Sequence, residues 1–80
     1  MDNLYFSADG SASAWASTKL YELGFVGTVR FATDSFHGGS VRHECLRFRD
    51  TRPEALEDAR TDAGRLVKMW AEERKRLDDL

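Results

Sequence analysis

The last third of the chain carries a helical pattern of apolar residues, and this pattern constrains the fold more than any other feature. Residues that recur at spacings of three and four lie on one face of a helix. The stripe consists of Leu56, Ala59, Ala63, Leu66, Trp70 and Leu77. It predicts an amphipathic helix over residues 52–76 that buries one side against another layer of the protein.

The start of this helix is marked by the sequence "TRPE". Thr51 can cap the first free backbone amides, and Glu54, three residues later, completes a capping box. Pro53 is tolerated in the first turn of a helix. Acidic side chains then come first and basic ones follow, an order that complements the helix dipole. These signals place the first helical residue at about Arg52.

Two stretches before the helix alternate in the manner of β-strands: "GFVGTVRFAT" and "VRHECLRFR". Phe25, Val29 and Phe31 share one face of the first, and Leu46 and Phe48 share one face of the second. The segment between them is rich in turn-forming residues. The sequence therefore predicts an antiparallel hairpin of residues 25–33 and 41–49, whose apolar face packs on the helix stripe.

The N-terminal part of the sequence leaves two alternatives open. A turn at Asp9-Gly10 would make it a hairpin. Alternatively, "SASAWASTKLYEL" forms a helix with Ala12, Ala16, Leu20 and Leu23 on one side. We favour a first strand over residues 4–7 followed by a helix from about Ser13 to Leu23. The whole predicts one small α+β domain, residues 1–80, with a short antiparallel sheet and a long C-terminal helix.

Length and composition exclude several classes of protein. A chain of 80 residues buries only about 60% of its unfolded surface, which leaves little room for a deep catalytic cavity. One cysteine cannot form an internal disulfide, and this suits a reducing compartment. No apolar run is long enough to span a membrane, and the N-terminus does not resemble a secretory signal. We expect a cytoplasmic protein without membrane contact, either a monomer or a small homo-oligomer.

The segment "HGGSVRHECLRF" holds the only cysteine and both histidines. His43 and Cys45 lie two apart on a strand and so point the same way, with His37 as a conceivable third zinc ligand. A structural zinc site needs four ligands, however, and a nucleophilic thiol needs a stabilised thiolate and a pocket. Gly38-Gly39 lacks the flanking residues of a phosphate-binding loop. We therefore expect no metal, no cofactor and no enzymatic activity.

Two charged surfaces and one apolar residue are the candidate binding sites. Arg30, Arg47 and Arg49 fall on the hairpin face opposite the apolar one, and with Arg42 and Arg52 at the ends of the hairpin they would form a basic patch. The first half of the helix is acidic instead. The candidates are therefore Arg30, Arg47 and Arg49; Glu57, Asp58 and Asp62; and Met69, which lies off the apolar stripe. The basic patch would bind a negatively charged partner, whereas the acidic surface would bind a positively charged one.

The layout resembles that of the anti-CRISPR proteins, which are small phage-encoded inhibitors. The shared features are the chain length, the hairpin "GFVGTVRFAT…VRHECLRFR", the capped helix "TRPEALEDARTDAGRLVKMWAEERKR" and dense surface charge without catalytic motifs. No diagnostic motif is shared, so no functional residue carries over. The resemblance implies a non-enzymatic blocker of a CRISPR surveillance complex. It would act in the host bacterial cytosol on a protein or protein–RNA partner and compete with target DNA or lock a subunit.

Two other functions fit the same layout. A nucleic-acid-binding module would use the basic sheet face, although the acidic start of the helix counts against it. A structural or oligomerisation subunit would use the helix stripe, with Gly64 allowing close helix approach. We favour a protein partner because the net charge is −2 and acidic residues are interleaved with the arginines.

Overall fold

Four antiparallel strands and one long helix make up the part of the chain that the structure, a computed structural model, describes: residues 3–34 and 40–78. The elements are β1 (Leu4–Phe6), β2 (Ala12–Tyr21), β3 (Gly24–Thr33), β4 (Val41–Arg49) and α1 (Arg52–Asp78). The strands lie in the sheet in chain order, and α1 covers one face. The predicted α+β fold, the hairpin and the C-terminal helix are confirmed. Leu77's side chain, His37 and Gly38-Gly39 lie outside the described residues.

The predicted helix from Ser13 to Leu23 is wrong, because this segment is strand β2 and its turn. Ala12 and Ala16 fit a helical spacing, but with Ala14 they also fit the period of two that a strand requires, and all three are buried. The weighed alternative, a hairpin turn at Asp9-Gly10, is present. The Asp9 carboxylate accepts hydrogen bonds from the Ser7 and Ser11 hydroxyls, both at 2.7 Å, and Gly10 has a positive φ of 75°.

The centre of the core consists of small side chains. Ala55, Ala59, Ala63 and Val67 form the buried line of α1, while Leu56, Leu66 and Trp70 pack partly buried beside it. The predicted stripe, as far as the structure describes it, thus does face the sheet, but the line of most deeply buried residues along the helix consists mainly of alanines. Across from them lie Ala14, Ala16 and Val29 of the sheet. Such small residues let helix and sheet approach closely.

Gly27 marks the closest approach between the layers. A Cβ atom at this position would lie 2.5 Å from the carbonyl oxygen of Ala55 and 2.9 Å from the amide nitrogen of Ala59. Both are backbone atoms of α1, which cannot move aside as a flexible side chain can. The helix backbone therefore rests directly on the backbone of β3.

This close approach explains why one prediction about β4 is wrong. Leu46 and Phe48 do not pack on α1: Leu46 is 98% exposed, and Phe48 lies edge-on to Tyr21 with 6.0 Å between ring centroids. Opposite Gly27 the register shifts, because Val26 pairs with Phe48 whereas Thr28 pairs with Glu44. The strand presents small Cys45 to the helix instead of a large apolar residue. Of the predicted core contacts, the Trp70–Phe31 pair is present, at 6.3 Å.

We expect Gly27→Ala to destabilise the protein by more than about 1–3 kcal/mol, since the added methyl overpacks against helix backbone. Gly64→Ala is the matched control, because its Cβ would meet nothing within 4 Å. In the interior of α1 that substitution should stabilise by about 0.5–1 kcal/mol. Chemical denaturation of both variants checks the pair, and equal stability of Gly27→Ala and the parent would contradict the packing described here.

Candidate functional site

The sheet face directed away from α1, called the outer face below, is not covered by any other element that the structure describes. Alternation along the strands defines it. It carries Trp15, Ser17, Lys19, Thr28, Arg30, Arg42 and Glu44. Three of these stand side by side in one row across the sheet, because Trp15 pairs with Arg30 and Arg30 pairs with Arg42. Trp15 is 53% exposed.

The row of Trp15, Arg30 and Arg42 is unfavourable for the isolated sheet. Like charges directly opposite each other on neighbouring strands repel. Neither arginine makes a hydrogen bond or an ion pair with any residue in 3–34 or 40–78 that would offset this repulsion. The row also exposes a large indole to solvent beside these two guanidinium groups. Such an arrangement is suited to binding a ligand from outside the protein.

A shallow groove runs beside this row. It has a volume of about 350 Å³, and Trp15, Ser17, Lys19, Arg30 and Arg42 are among the residues that line it. Hydroxyl groups and positive charges thus line the same groove as the aromatic ring. The only acidic side chain on the strands of the described outer face is Glu44, which accepts a 2.6 Å hydrogen bond from the Tyr21 hydroxyl. The groove can therefore receive an anion next to a flat ring.

The predicted basic face of Arg30, Arg47 and Arg49 does not exist as one surface. The register pairs even-numbered residues of β3 with even-numbered residues of β4, so Arg30 has Arg42 as its neighbour. Arg49 points to the helix side, where its Nε and Nη2 atoms donate to the two Asp58 carboxylate oxygens at 2.8 and 3.0 Å. Arg47 is exposed near that pair. Sequence reasoning located Arg42 only at the end of the hairpin, because alternation puts it on the same face as Leu46 and Phe48, which we predicted to pack on α1.

The predicted acidic surface is also divided. Asp58 pairs with Arg49, and Asp62 turns toward β4, so both carboxylates lie between helix and sheet. Glu57 faces solvent with a 3.6 Å contact to Arg60. The hydrogen bonds from Arg49 lower the pKa of Asp58. Met69 is 56% exposed on α1, and its role in binding stays a prediction.

His43, Cys45 and Asp62 form a cluster between β4 and α1. One oxygen of Asp62, Oδ2, lies 2.8 Å from His43 Nε2 and accepts a hydrogen bond from Cys45 Sγ at 3.1 Å. Burial, followed by the bond to Asp62, raises the pKa of Cys45 to about 12. The thiol is therefore protonated at neutral pH in this form of the protein and lacks the thiolate that a nucleophile needs. Asp62 is the partner that the spacing within β4 could not reveal.

Comparison with known proteins adds no functional assignment. No family model, curated protein or solved structure matches the chain. Within the described residues, no helix is long and apolar enough to cross a membrane.

We expect Arg49→Gln to lower stability at neutral pH, because it removes a bidentate pair from the helix–sheet boundary. Asp58 has a folded-state pKa below its unfolded value of about 3.9. The contribution of the ionised Asp58 to the free energy of unfolding is therefore complete above the unfolded-state pKa. It is lost as the pH falls through the folded-state pKa. The difference in the free energy of unfolding between the parent and Arg49→Gln should accordingly be constant near neutral pH and become smaller below about pH 4.

Arg47→Gln is the matched control for this experiment. Arg47 makes no hydrogen bond or ion pair with the residues that the structure describes, so its removal should leave the unfolding midpoint close to that of the parent. Denaturation curves of the three proteins between acid and neutral pH give the comparison. Equal losses for Arg47→Gln and Arg49→Gln would show that Arg49 does not make the Asp58 contact.

Proposed function

We propose that this chain is a non-enzymatic binding protein that holds single-stranded nucleic acid on the outer face of its sheet. The observation that carries the proposal is the row of Trp15, Arg30 and Arg42. An exposed indole provides a surface on which an unpaired base can stack, and guanidinium groups beside it can bind phosphates. Adjacent strands are about 4.8 Å apart, so the row spans about 10 Å.

Single strands fit this surface better than duplexes do. The bases of a duplex are stacked on one another and present only their edges in the grooves. Trp15 is a flat side chain on a sheet, and none of the described elements beside it could enter a groove and read base edges. An unpaired strand exposes the faces of its bases, and stacking on them tolerates any sequence. Ser17 and Thr28 add hydroxyl groups next to the ring.

The distribution of charge supports the proposal despite the net charge of −2. Lys19, Arg30 and Arg42 lie on the outer face, whereas Asp58 and Asp62 lie on the opposite side of the sheet. Those two carboxylates are also engaged by Arg49 and His43. The local field at the outer face is thus positive, and local field rather than net charge governs the approach of a polyanion.

A second proposal is the protein inhibitor that the anti-CRISPR resemblance implies, acting on a CRISPR surveillance complex in the bacterial cytosol. The observation in its favour is the solvent-facing charge on α1, where Glu57 presents a carboxylate at 71% side-chain exposure. With Asp58 and Asp62 turned inward, however, the helix offers fewer acidic groups than the sequence predicts. We therefore place nucleic-acid binding at the outer face first.

We expect a labelled single-stranded oligonucleotide of roughly 15 nucleotides, DNA or RNA, to bind the protein with an affinity that falls as salt rises. Trp15→Ala should weaken binding about 5–150-fold, which corresponds to loss of about 1–3 kcal/mol of stacking. Arg30→Gln and Arg42→Gln should each reduce the slope of log affinity against log salt by about 0.7, as expected for one phosphate contact. Fluorescence anisotropy measures all three effects.

Lys68→Gln is the charge-matched control, because Lys68 is exposed on α1, away from the outer face. It should leave both affinity and salt slope close to those of the parent. Absence of single-strand binding at low salt would refute the proposal. So would binding that Lys68→Gln and Arg42→Gln weaken equally. If charge reversal at Glu57 instead abolishes binding to a purified surveillance complex, the inhibitor proposal takes its place.

A further inference from the structure

The cluster of His43, Cys45 and Asp62 brings together the three kinds of atom that zinc binds in proteins. An imidazole nitrogen, a sulfur and a carboxylate oxygen lie within 4.8 Å of one another. Two of them come from β4 and one from α1. We propose that these three side chains form a zinc-binding site that joins β4 to the helix, independently of what the outer face binds.

The local structure positions all three ligands before any ion arrives. His43 and Cys45 share the helix-facing side of β4 because they are two residues apart. The Cys45 sulfur is confined by Gly27, whose added Cβ would lie only 3.0 Å from it. Asp62 is held against both residues by hydrogen bonds to one oxygen. Binding would therefore order few additional side chains, which favours affinity.

Two of the three ligand separations are close to those of a zinc site, with hydrogen bonds in the place that the ion would take. Ligand atoms on a tetrahedral zinc ion are about 3.3–3.6 Å apart, given bond lengths of about 2.0–2.3 Å. In the cluster the nitrogen–oxygen separation is 2.8 Å and the sulfur–oxygen separation is 3.1 Å. Each of these two separations therefore has to widen by about 0.5 Å. The nitrogen–sulfur separation, which is at most 4.8 Å, has to reach about 3.5 Å, and rotations of the His43 and Asp62 side chains change all three.

Charge and protonation balance in this reaction. Zinc binds the neutral imidazole of His43 through Nε2, in the tautomer that carries the ring proton on Nδ1 in place of Nε2. It also binds the Asp62 carboxylate and the Cys45 thiolate, whose proton leaves to solvent. One thiolate and one carboxylate neutralise the two charges of the ion. Asp58 lies nearby but is already paired with Arg49. His43 is 39% exposed, so the fourth position faces solvent and takes water, as in sites with three protein ligands.

The mixed ligand set selects the class of metal. Magnesium and calcium prefer oxygen ligands and would gain little from a thiol and an imidazole. A borderline-soft ion such as zinc accepts all three atoms and has no geometric preference of its own. The sequence-based expectation of no metal counted only ligands from the segment 37–45. Asp62, seventeen residues further on from Cys45, supplies the third ligand.

Cobalt(II), a spectroscopic substitute for zinc, tests the proposal on the full chain after treatment with a chelator and a reductant. We expect one equivalent to bind with a near-ultraviolet thiolate-to-cobalt absorption band, which added zinc abolishes. Cys45→Ser, close in size to cysteine, should lose the band. Asp62→Asn and His43→Gln should weaken cobalt binding at least tenfold. Zinc should raise the melting temperature of the parent but not of Cys45→Ser.

Glu57→Gln is the control, since it removes one carboxylate from the same helix without touching the cluster. It should keep the band and the affinity of the parent. The proposal is overturned if the parent shows no charge-transfer band with millimolar cobalt and no zinc-dependent rise in melting temperature. It is also overturned if Cys45→Ser binds zinc as tightly as the parent. Circular dichroism of each metal-free variant shows whether it is folded before these comparisons are made.

Discussion

The direct contact between the backbone of α1 and Gly27 determines how the rest of this small protein is arranged. The Ala55 carbonyl and the Ala59 amide lie within contact distance of the position that a Cβ atom on Gly27 would take. There is therefore no space for a large side chain at this point of the sheet. Alanines line both layers for the same reason. A core of this kind gains stability from many close van der Waals contacts, each of which is lost if the layers separate slightly.

A thin core also decides where the large side chains go. Trp70, Phe31, Leu56 and Leu66 fit only at the margins of the helix–sheet contact. Others, including Trp15 and Leu46, are exposed. Exposure of single apolar residues is ordinary, but Trp15 stands in a row with two arginines that have no hydrogen-bond or ion-pair partner among residues 3–34 and 40–78. One face of the sheet is thus closely packed against the helix, and the other carries an exposed aromatic and basic surface. The proposed function depends on this difference between the two faces.

Much of the fold could be predicted from the sequence, and the limits of that prediction have physical causes. The helix was predictable because its caps and its stripe agree. Segment 12–21 was not, since Ala12 and Ala16 satisfy both a helical and a strand period, and small side chains carry little information on which face is buried. On β4, hydrophobicity indicated the wrong face: Cys45, His43 and Arg49 turn inward because Asp58 and Asp62 meet them there.

The candidate site was less accessible to sequence reasoning than the fold. Arg30 was identified, but its neighbours Trp15 and Arg42 come from other strands, and only the register brings the three together. Asp62 was identified as part of an acidic surface, whereas the structure places it against His43 and Cys45. In both cases the type of residue indicated a functional site, but the residues that contact it could not be predicted. Those contacts depend on pairing between segments that are far apart in the sequence.

The irregular pairing in β4 has a consequence for the protein in a concentrated solution. β4 is an edge strand, and an edge strand with regular, unpaired amides can recruit a strand from another molecule and start aggregation. Here three residues of β4, Cys45 to Arg47, lie opposite the single residue Gly27 of β3, and an irregularity of this kind bends a strand away from the regular geometry that a second sheet would need. The opposite edge, β1, has only three residues. Both edges of the sheet are thus poorly suited to growth by strand addition, including the edge that carries the exposed Leu46.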